Sequence, residues 1–230
     1  MRFQDKTTTI KAAIAEIPHG ASVMLGGFGV PGTPFCLIDE LVRQGQTGLT
    51  IIKNDANETG MGVDHLLENG QVARLITTHI GLNARAIKMM NSGDLVVEFC
   101  AQGILAERIR NAGAGLHGFL TDIAIDTDLA DGKQTVVVNG QTLMVETALK
   151  ADFALLHASA ADPFGNLVYV ATARNFNPVM AMGATHVIAE TETLQPMGAI
   201  DPNHVHTPGP FVDKVVTLAA LTKEYAVVQR

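Results

Sequence analysis

Four glycines lie close together in the stretch MLGGFGVPGTPF (24–35), and these residues are well suited to holding a ligand. The stretch begins as a short apolar strand, and Gly27 to Gly32 fit the pattern G-x-G-x-x-G. In dinucleotide-binding folds this pattern brings a pyrophosphate against the first amides of a helix. Glycine also tolerates positive φ and lets a ligand approach the backbone closely. The pattern alone therefore predicts either a nucleotide-type ligand site or a tight turn.

Two prolines distinguish this loop from a dinucleotide site. Pro34 disfavours the α region for the residue before it, so we expect Thr33 to be extended and to cap a helix whose first residue is Pro34. That helix begins beyond the glycines, and Pro31 restricts the loop itself. A dinucleotide-binding Rossmann protein remains an alternative, because Asp55 ends the next predicted strand, where an acidic ribose ligand would stand.

Composition bounds the class of protein. The chain has 230 residues, is 47% hydrophobic and carries a net charge of −7, so we expect one domain over residues 1–230. The acidic balance and the scattered basic residues predict no nucleic acid and no membrane partner. We find no apolar span long enough for a bilayer and no signal peptide, and we expect a cytoplasmic location. Cys36 and Cys100 lie in apolar surroundings, which predicts reduced core cysteines.

Apolar runs and helical patterns alternate along the first half of the chain. This alternation predicts a parallel sheet whose strands are joined by helices. The predicted strands are 21–27, 49–55, 73–80 and 94–100, and the predicted helices are 10–17, 33–45, 62–70, 83–93 and 103–113.

The second half predicts more strands and a hairpin. TVVVNGQTLMVE (135–146) consists of two strand-like runs around Asn139-Gly140, a typical type I′ turn pair. Further strands are predicted in DFALLHA, NLVYV, THVIAE and DKVVTLAAL, with a turn at 162–165. The predicted fold class is therefore α/β: a largely parallel open sheet with helices on both faces and an antiparallel hairpin insertion.

The glycine stretch resembles a known signature. ASVMLGGFGVPGTP (21–34) is similar to the CoA-binding signature of family I coenzyme A transferases. Six further blocks resemble the α subunit of that family, in the same order: LTIIKNDAN, THIGLN, AQGILAERIRNAGAGLHGFLT, ADFALLHASAADPFGNLVY, ARNFNP and HTPGPFVD. The chain departs from the family at His19, where Asp or Asn is usual, and at Asp122-Ile123-Ala124, where Pro-Thr-Gly is common.

The resemblance implies an activity and a partner. It implies transfer of CoA between an acyl-CoA and a short-chain carboxylic acid, such as acetate or acetoacetate, by ping-pong chemistry. The nucleophilic glutamate, which forms a glutamyl-CoA thioester, is expected on a β subunit, and the assembly is expected to be α2β2. No catalytic residue, metal or permanently bound cofactor is implied for this chain, because coenzyme A is a substrate.

The resemblance also assigns residues to the site. CoA binding falls to Gly26, Gly27, Phe28, Gly29, Val30, Pro31 and Gly32. Asn54 and Gln102 match positions that line the shared cleft, and both are predicted at carboxyl ends of strands. Free amides of the glycine loop are also expected to face the oxyanion that forms when a thioester is attacked.

One stretch resembles the sequence around the nucleophilic glutamate of the β subunit. Leu67-Glu68-Asn69-Gly70 is similar to the family's Ser-Glu-Asn-Gly context, but no serine precedes the glutamate. Glu68 ends a predicted helix, and Gly70 fits the position after the helix end. We therefore expect a structural role for Glu68.

Other polar residues suggest further hypotheses. A sugar-phosphate isomerase-like enzyme is a further alternative; it would bind a phosphate at the loop and use Lys53 with Asp55. His204 and His206 alternate, as two side chains on one strand face would, but no third ligand stands nearby for a metal. Asn175-Phe176-Asn177-Pro178 is interpreted as a structural turn.

Overall fold

The computed structural model describes residues 4–227, with side chains as far as Tyr225. Its strands are β1 (Thr7–Thr8), β2 (Ser22–Leu25), β3 (Leu49–Ile52), β4 (Val72–Thr77), β5 (Val96–Phe99), β6 (Gly118–Thr121), β7 (Thr135–Val138), β8 (Gln141–Thr147), β9 (Ala151–Ala161), β10 (Leu167–Val168), β11 (Ala184–Leu194) and β12 (Lys214–Thr217). Its α-helices are α1 (Ile10–Ile14), α2 (Phe35–Gln44), α3 (Val63–Glu68), α4 (Ala84–Ser92), α5 (Gln102–Gly113) and α6 (Asn177–Gly183). Within residues 4–227, no helix combines the length and apolar character needed to cross a membrane.

The larger sheet is almost entirely parallel. Its strand order is β1-β12-β11-β9-β2-β3-β4-β5, and all of these neighbours pair in parallel. Among the strands of this sheet that the structure describes, only β10 pairs antiparallel, with β9. The predicted largely parallel open sheet is thus confirmed, and β2 lies near its middle, so the loop after β2 opens at the centre of the carboxyl edge.

Helices cover both faces of this sheet, as the near-continuous apolar strands predict. Val23 and Leu25 of β2 belong to the apolar cluster formed with α1, α2, α3 and α4. Met24, between them, belongs to the opposite cluster, which includes Leu105 of α5 and Met180 of α6. Successive strand side chains point to opposite faces, so a single short strand anchors both layers.

The hairpin insertion is confirmed as part of a smaller antiparallel sheet. β7 and β8 pair around Asn139 and Gly140, whose φ values of 51° and 80° are those of a type I′ turn. β6 adds a third strand on the other side of β8, so the order is β6-β8-β7.

The start of α2 differs from the prediction. The helix begins at Phe35 rather than Pro34, and Pro34 is its N-cap residue without a side-chain hydrogen bond. The Thr33 hydroxyl instead donates to the carbonyl of Gly29 at 2.7 Å. Thr33 therefore closes the glycine loop and does not cap the helix. The end of the helix is as predicted, because Gly45 is left-handed with φ 77°.

The two histidines near the carboxyl terminus do not share a strand face, which corrects the prediction. His204 ends a short 3-10 turn that begins at Pro202, and proline there removes a donor that a strand would need. The imidazole Nδ1 of His206 instead accepts a hydrogen bond from the amide of Tyr169 at 2.9 Å. His206 therefore holds its own segment against Tyr169, the residue after β10.

Candidate functional site at the carboxyl edge of the parallel sheet

Residues 26–32 form most of the connection between β2 and α2 at the carboxyl edge of the sheet, the edge where open α/β folds bind ligands. Gly27, Gly29 and Gly32 all have positive φ, at 97°, 59° and 78°. Phe28, at the tip, keeps 47% of its surface exposed. A loop with this backbone needs glycine at several positions, and it presents an aromatic ring to solvent.

Asp55 and two neighbours hold the centre of the loop. The amide of Gly29 donates to Asp55 Oδ2 at 2.8 Å. Its carbonyl accepts from Asn57 Nδ2 at 2.9 Å and from the Thr33 hydroxyl at 2.7 Å. Both peptide groups of Gly29 are therefore fixed by side chains, and the loop is preorganised rather than slack.

Asp55 is itself supported by a buried ion pair. Lys53 Nζ lies 3.1 Å from Asp55 Oδ1, and the Lys53 side chain is completely buried. Burial would raise the pKa of Asp55, but the Lys53 ammonium and the amide donors outweigh it and lower the pKa to about 2. Lys53 and Asp55, the two residues that an isomerase would use, therefore support the glycine loop structurally. The isomerase alternative is not favoured.

Asn177, the first residue of α6, holds the other end of the loop. Its Nδ2 donates to the carbonyls of Gly32 at 3.1 Å and Ala173 at 2.9 Å. A Cβ placed on Gly26 would lie 2.0 Å from Asn177 Oδ1, so glycine is required there by contact. Asn175 Nδ2 adds a hydrogen bond to the carbonyl of Pro31 at 2.8 Å.

This support of the loop was not predicted, because residues 175–178 have the sequence pattern of a turn. Two asparagines close together were the available signal, since their amides can bond to backbone that is distant in sequence. Nothing in the sequence pattern indicated which backbone they would reach.

Asn54 and Gln102 come together, as their positions after β3 and β5 suggest. Gln102 Nε2 donates to Asn54 Oδ1 at 2.8 Å. Asn54 Nδ2 donates in turn to Asp55 Oδ2 at 3.0 Å, and the Thr78 hydroxyl bonds to the Asn54 carbonyl at 2.7 Å. The Asn54–Gln102 pair is thereby joined through Asp55 to the glycine loop.

The backbone amides of the loop are only partly satisfied within the chain. Phe28 donates to the carbonyl of Pro31 at 3.1 Å, and Gly29 donates to Asp55. For the amides of Gly27, Val30 and Gly32, residues 4–227 supply no hydrogen-bond acceptor. Such donors suit a phosphate, a carbonyl oxygen or an oxyanion.

Glu68 lies away from this edge. It is the last residue of α3, which runs from the carboxyl edge back towards the amino edge, and its carboxylate pairs with Arg85 Nη2 at 2.8 Å. Gly70 is left-handed with φ 66°, as expected just after a helix end.

The sequence of the chain matches a known protein family. The model of the family described as Coenzyme A transferase matches residues 7–218. The chain belongs to this enzyme family. Three relatives agree with that assignment. The chain is 48% identical to the alpha subunit of a probable coenzyme A transferase of Bacillus subtilis, over 92% of this chain and 93% of the relative.

The other two relatives differ in the substrates that they are named for. The chain is 42% identical to the corresponding subunit of the succinyl-CoA:3-ketoacid coenzyme A transferase of Xanthomonas campestris, over 100% of this chain and 93% of that one. It is 39% identical to the alpha subunit of the acetate CoA-transferase of Escherichia coli, over 93% and 97%.

Solved structures share the fold of this coenzyme A transferase chain. Glutaconate coenzyme A-transferase from Acidaminococcus fermentans superposes with a TM-score of 0.83 at 23% identity, over 92% of this chain and 75% of that one. A variant of the decarboxylase AibA/AibB superposes with a TM-score of 0.80 at 29% identity, over 94% and 84%.

Proposed function

We propose that this chain is the α subunit of an enzyme that moves CoA between an acyl-CoA and a free short-chain carboxylic acid. One observation carries the proposal: a preorganised glycine loop with unsatisfied amides lies beside the Asn54–Gln102 pair at the carboxyl edge of the sheet. The family membership and the subunit names of the relatives support it.

Within this proposal, residues 26–32 bind coenzyme A as a substrate, and no cofactor is held permanently. Asn54 and Gln102 line the cleft in which the thioester reacts. An amide side chain fixed by hydrogen bonds can donate to the carbonyl oxygen as negative charge develops on it. Gln102 is the exposed amide of the pair, and its Nε2 has a second hydrogen besides the one that it donates to Asn54 Oδ1. Asn54 is completely buried, so it acts by holding Gln102 in position.

The nucleophile in this proposal comes from a β subunit, in an α2β2 assembly. A glutamate carboxylate attacks the thioester carbonyl, the CoA thiolate leaves, and an acyl-glutamyl anhydride forms. The thiolate then attacks the glutamyl carbonyl, which releases the first carboxylic acid and leaves a glutamyl-CoA thioester. A second carboxylate reverses both steps and departs as the new acyl-CoA. Covalent capture conserves the thioester bond that hydrolysis would destroy.

A product assay tests the reaction class. The chain is assembled with its β subunit, propionyl-CoA and butyrate are supplied, and chromatography measures butyryl-CoA. A parallel reaction contains an acyl-CoA whose tail carries a free carboxylate, the group that a decarboxylase removes, and carbon dioxide release is monitored there. We expect butyryl-CoA and propionate in equal amounts with no carbon dioxide. Decarboxylation of an acyl-CoA without transfer to any acid would contradict the proposal and favour the reaction named for the structural relative at 29% identity.

A pair of glycine variants tests the loop. Gly29 and Gly20 both have positive φ, at 59° and 79°, and a Cβ at either position meets no heavy atom within 4 Å. Alanine should therefore strain both backbones by a similar ~1 kcal/mol. We expect Gly29→Ala to raise the KM for the acyl-CoA about tenfold, because it crowds the approach to the loop. Gly20, in the turn before β2 at the opposite edge, is the matched control. Equal KM values in the two variants would contradict the assignment.

A further inference from the structure

Three side chains from separate segments bring one imidazole nitrogen and two carboxylates together beside α2 and α3. Asp39 belongs to α2, His65 to α3 and Glu224 to the 3-10 turn Lys223–Val227. One such atom from each residue lies within 4.8 Å of the other two. Among the described side chains, this is the only group of three histidine, cysteine or acidic residues with that spacing. Asp39 and His65 also line an open depression, so the group can be reached from solvent.

Glu224 is the buried member of the group. Its side chain is only 7% exposed, and its Oε1 lies 3.3 Å from His65 Nε2. Within residues 4–225, His65 is the only hydrogen-bond or ion-pair partner of this carboxylate, so Oε2 receives no donor there. Buried carboxylates in proteins are hydrogen-bonded, paired with a cation or bound to a metal. The second oxygen of Glu224 therefore points to a ligand beyond these three side chains.

Asp39 is the exposed member, and its surroundings favour a cation. Desolvation and the carboxylate of Glu224 raise the pKa of Asp39 to about 6, although His65 lies close by and lowers it. A positive ion between the two carboxylates would replace their mutual repulsion by attraction to a common centre.

The donor set and its spacing fit zinc. An imidazole nitrogen with carboxylate oxygens suits Zn²⁺, whereas Mg²⁺ and Ca²⁺ prefer oxygen ligands alone. Zinc–ligand bonds of about 2.0–2.1 Å place neighbouring ligand atoms of a tetrahedral site about 3.3 Å apart. The His65–Glu224 pair already has this separation. Asp39 lies on the exposed face of α2, where its carboxylate can turn to close the remaining distance.

We propose that Asp39, His65 and Glu224 bind a Zn²⁺ ion that joins the turn 223–227 to α2 and α3. Three protein ligands leave the fourth position of the ion to water. The site is separate from the glycine loop and from the Asn54–Gln102 pair, and the ion takes no part in the transfer of CoA. The inference therefore goes beyond the proposed function and does not depend on it.

The joined turn carries a residue that contacts the start of α2. The Tyr225 hydroxyl donates to the carbonyl of Thr33, and the Tyr225 ring packs edge-on against Phe35 with the centroids 4.9 Å apart. An ion bound at the neighbouring Glu224 therefore also stabilises the segment that follows the glycine loop.

A zinc titration tests the site. The full chain is treated with EDTA, desalted and titrated with Zn²⁺ in a calorimeter. We expect one ion per chain with a Kd of about 1 μM or lower. Asp39→Asn and Glu224→Gln should each raise the Kd at least about tenfold, because each removes a charged ligand. Glu68→Gln is the matched control, since Glu68 lines the same depression but pairs with Arg85, and it should leave the Kd unchanged.

Cobalt identifies the ligand atoms. Cys36 lies one turn before Asp39 on α2, and thiolates are strong zinc ligands. Co²⁺ bound to a thiolate has an intense near-ultraviolet charge-transfer band, which nitrogen and oxygen ligands do not produce. We expect no such band, and we expect Cys36→Ser to leave the visible spectrum unchanged. A charge-transfer band that Cys36→Ser abolishes would overturn the proposed ligand set.

Thermal unfolding tests the structural role of the ion. Zn²⁺ at 100 times its Kd should raise the melting temperature of the wild type by about 5 °C or more. The same concentration should leave Asp39→Asn, whose exposed substitution does not disturb folding, almost unchanged. No zinc binding to the folded wild type, an equal Kd in folded Asp39→Asn, or binding without a rise in melting temperature would overturn the inference. None of these readouts measures CoA transfer, so the proposed function would survive each of them.

Discussion

Replacing Asp55 by asparagine is expected to lower the free energy of unfolding by about 3 kcal/mol or more. The substitution leaves the Lys53 ammonium, which is completely buried, without its carboxylate partner. It also replaces a charged acceptor for the amide of Gly29 by a neutral one. Urea unfolding at pH 7 measures the change. Glu68→Gln is the control, because it breaks an ion pair with Arg85 at the surface and should leave the urea midpoint nearly unchanged.

The effect of Asp55→Asn should depend on pH in a defined direction. The pKa of Asp55 in the folded protein, about 2, lies below the value of about 3.9 expected for an unfolded chain. The folded state therefore favours the ionised form, and about 2 to 3 kcal/mol of stability is present above pH 4 and lost as the pH falls towards 2. The difference between wild type and Asp55→Asn should be constant between pH 7 and pH 5 and shrink below pH 4. If the difference in free energy of unfolding between wild type and Asp55→Asn grew on acidification, the ionised Asp55 carboxylate would not be what stabilises the loop.

Local signals explain which parts of the fold the sequence predicted. Asn139-Gly140 predicts the hairpin because a type I′ turn depends on those two residues alone. Gly45 predicts the end of α2 for a similar local reason. The proximity of Asn54 and Gln102 was predictable because the carboxyl ends of nearby parallel strands lie at the same edge of a sheet.

Contacts between distant segments explain what the sequence did not predict. Asn177 reaches the carbonyl of Gly32 across 145 positions, and no local pattern encodes that pairing. The Tyr225 hydroxyl donates to the carbonyl of Thr33, the residue after the glycine loop, which is 192 positions away in sequence. Thr33 was misassigned as a cap because the competing acceptor, the carbonyl of Gly29, becomes available only in the folded loop. β1 is too short to leave a periodic pattern, and it exists because β12 lies beside it.

The purified chain alone is expected to show no CoA transfer, and adding its β subunit should produce it. Glu68 is the one glutamate in a nucleophile-like context, and it lies at the end of α3, paired with Arg85. Glu68→Gln in the assembled enzyme should therefore keep kcat within a few-fold of wild type. An active chain without β, inactivated by Glu68→Gln, would make Leu67-Glu68-Asn69-Gly70 the active site after all.

The location of the covalent intermediate is the most direct measurement. The α and β chains are mixed with acyl-CoA, and borohydride reduces any glutamyl-CoA thioester to an alcohol that peptide mass spectrometry can locate. We expect the reduced glutamate only on β, and a loss of trapping when Asn54 is replaced by alanine in α. A reduced glutamate on any peptide of this chain would contradict the division of the active site between the two subunits.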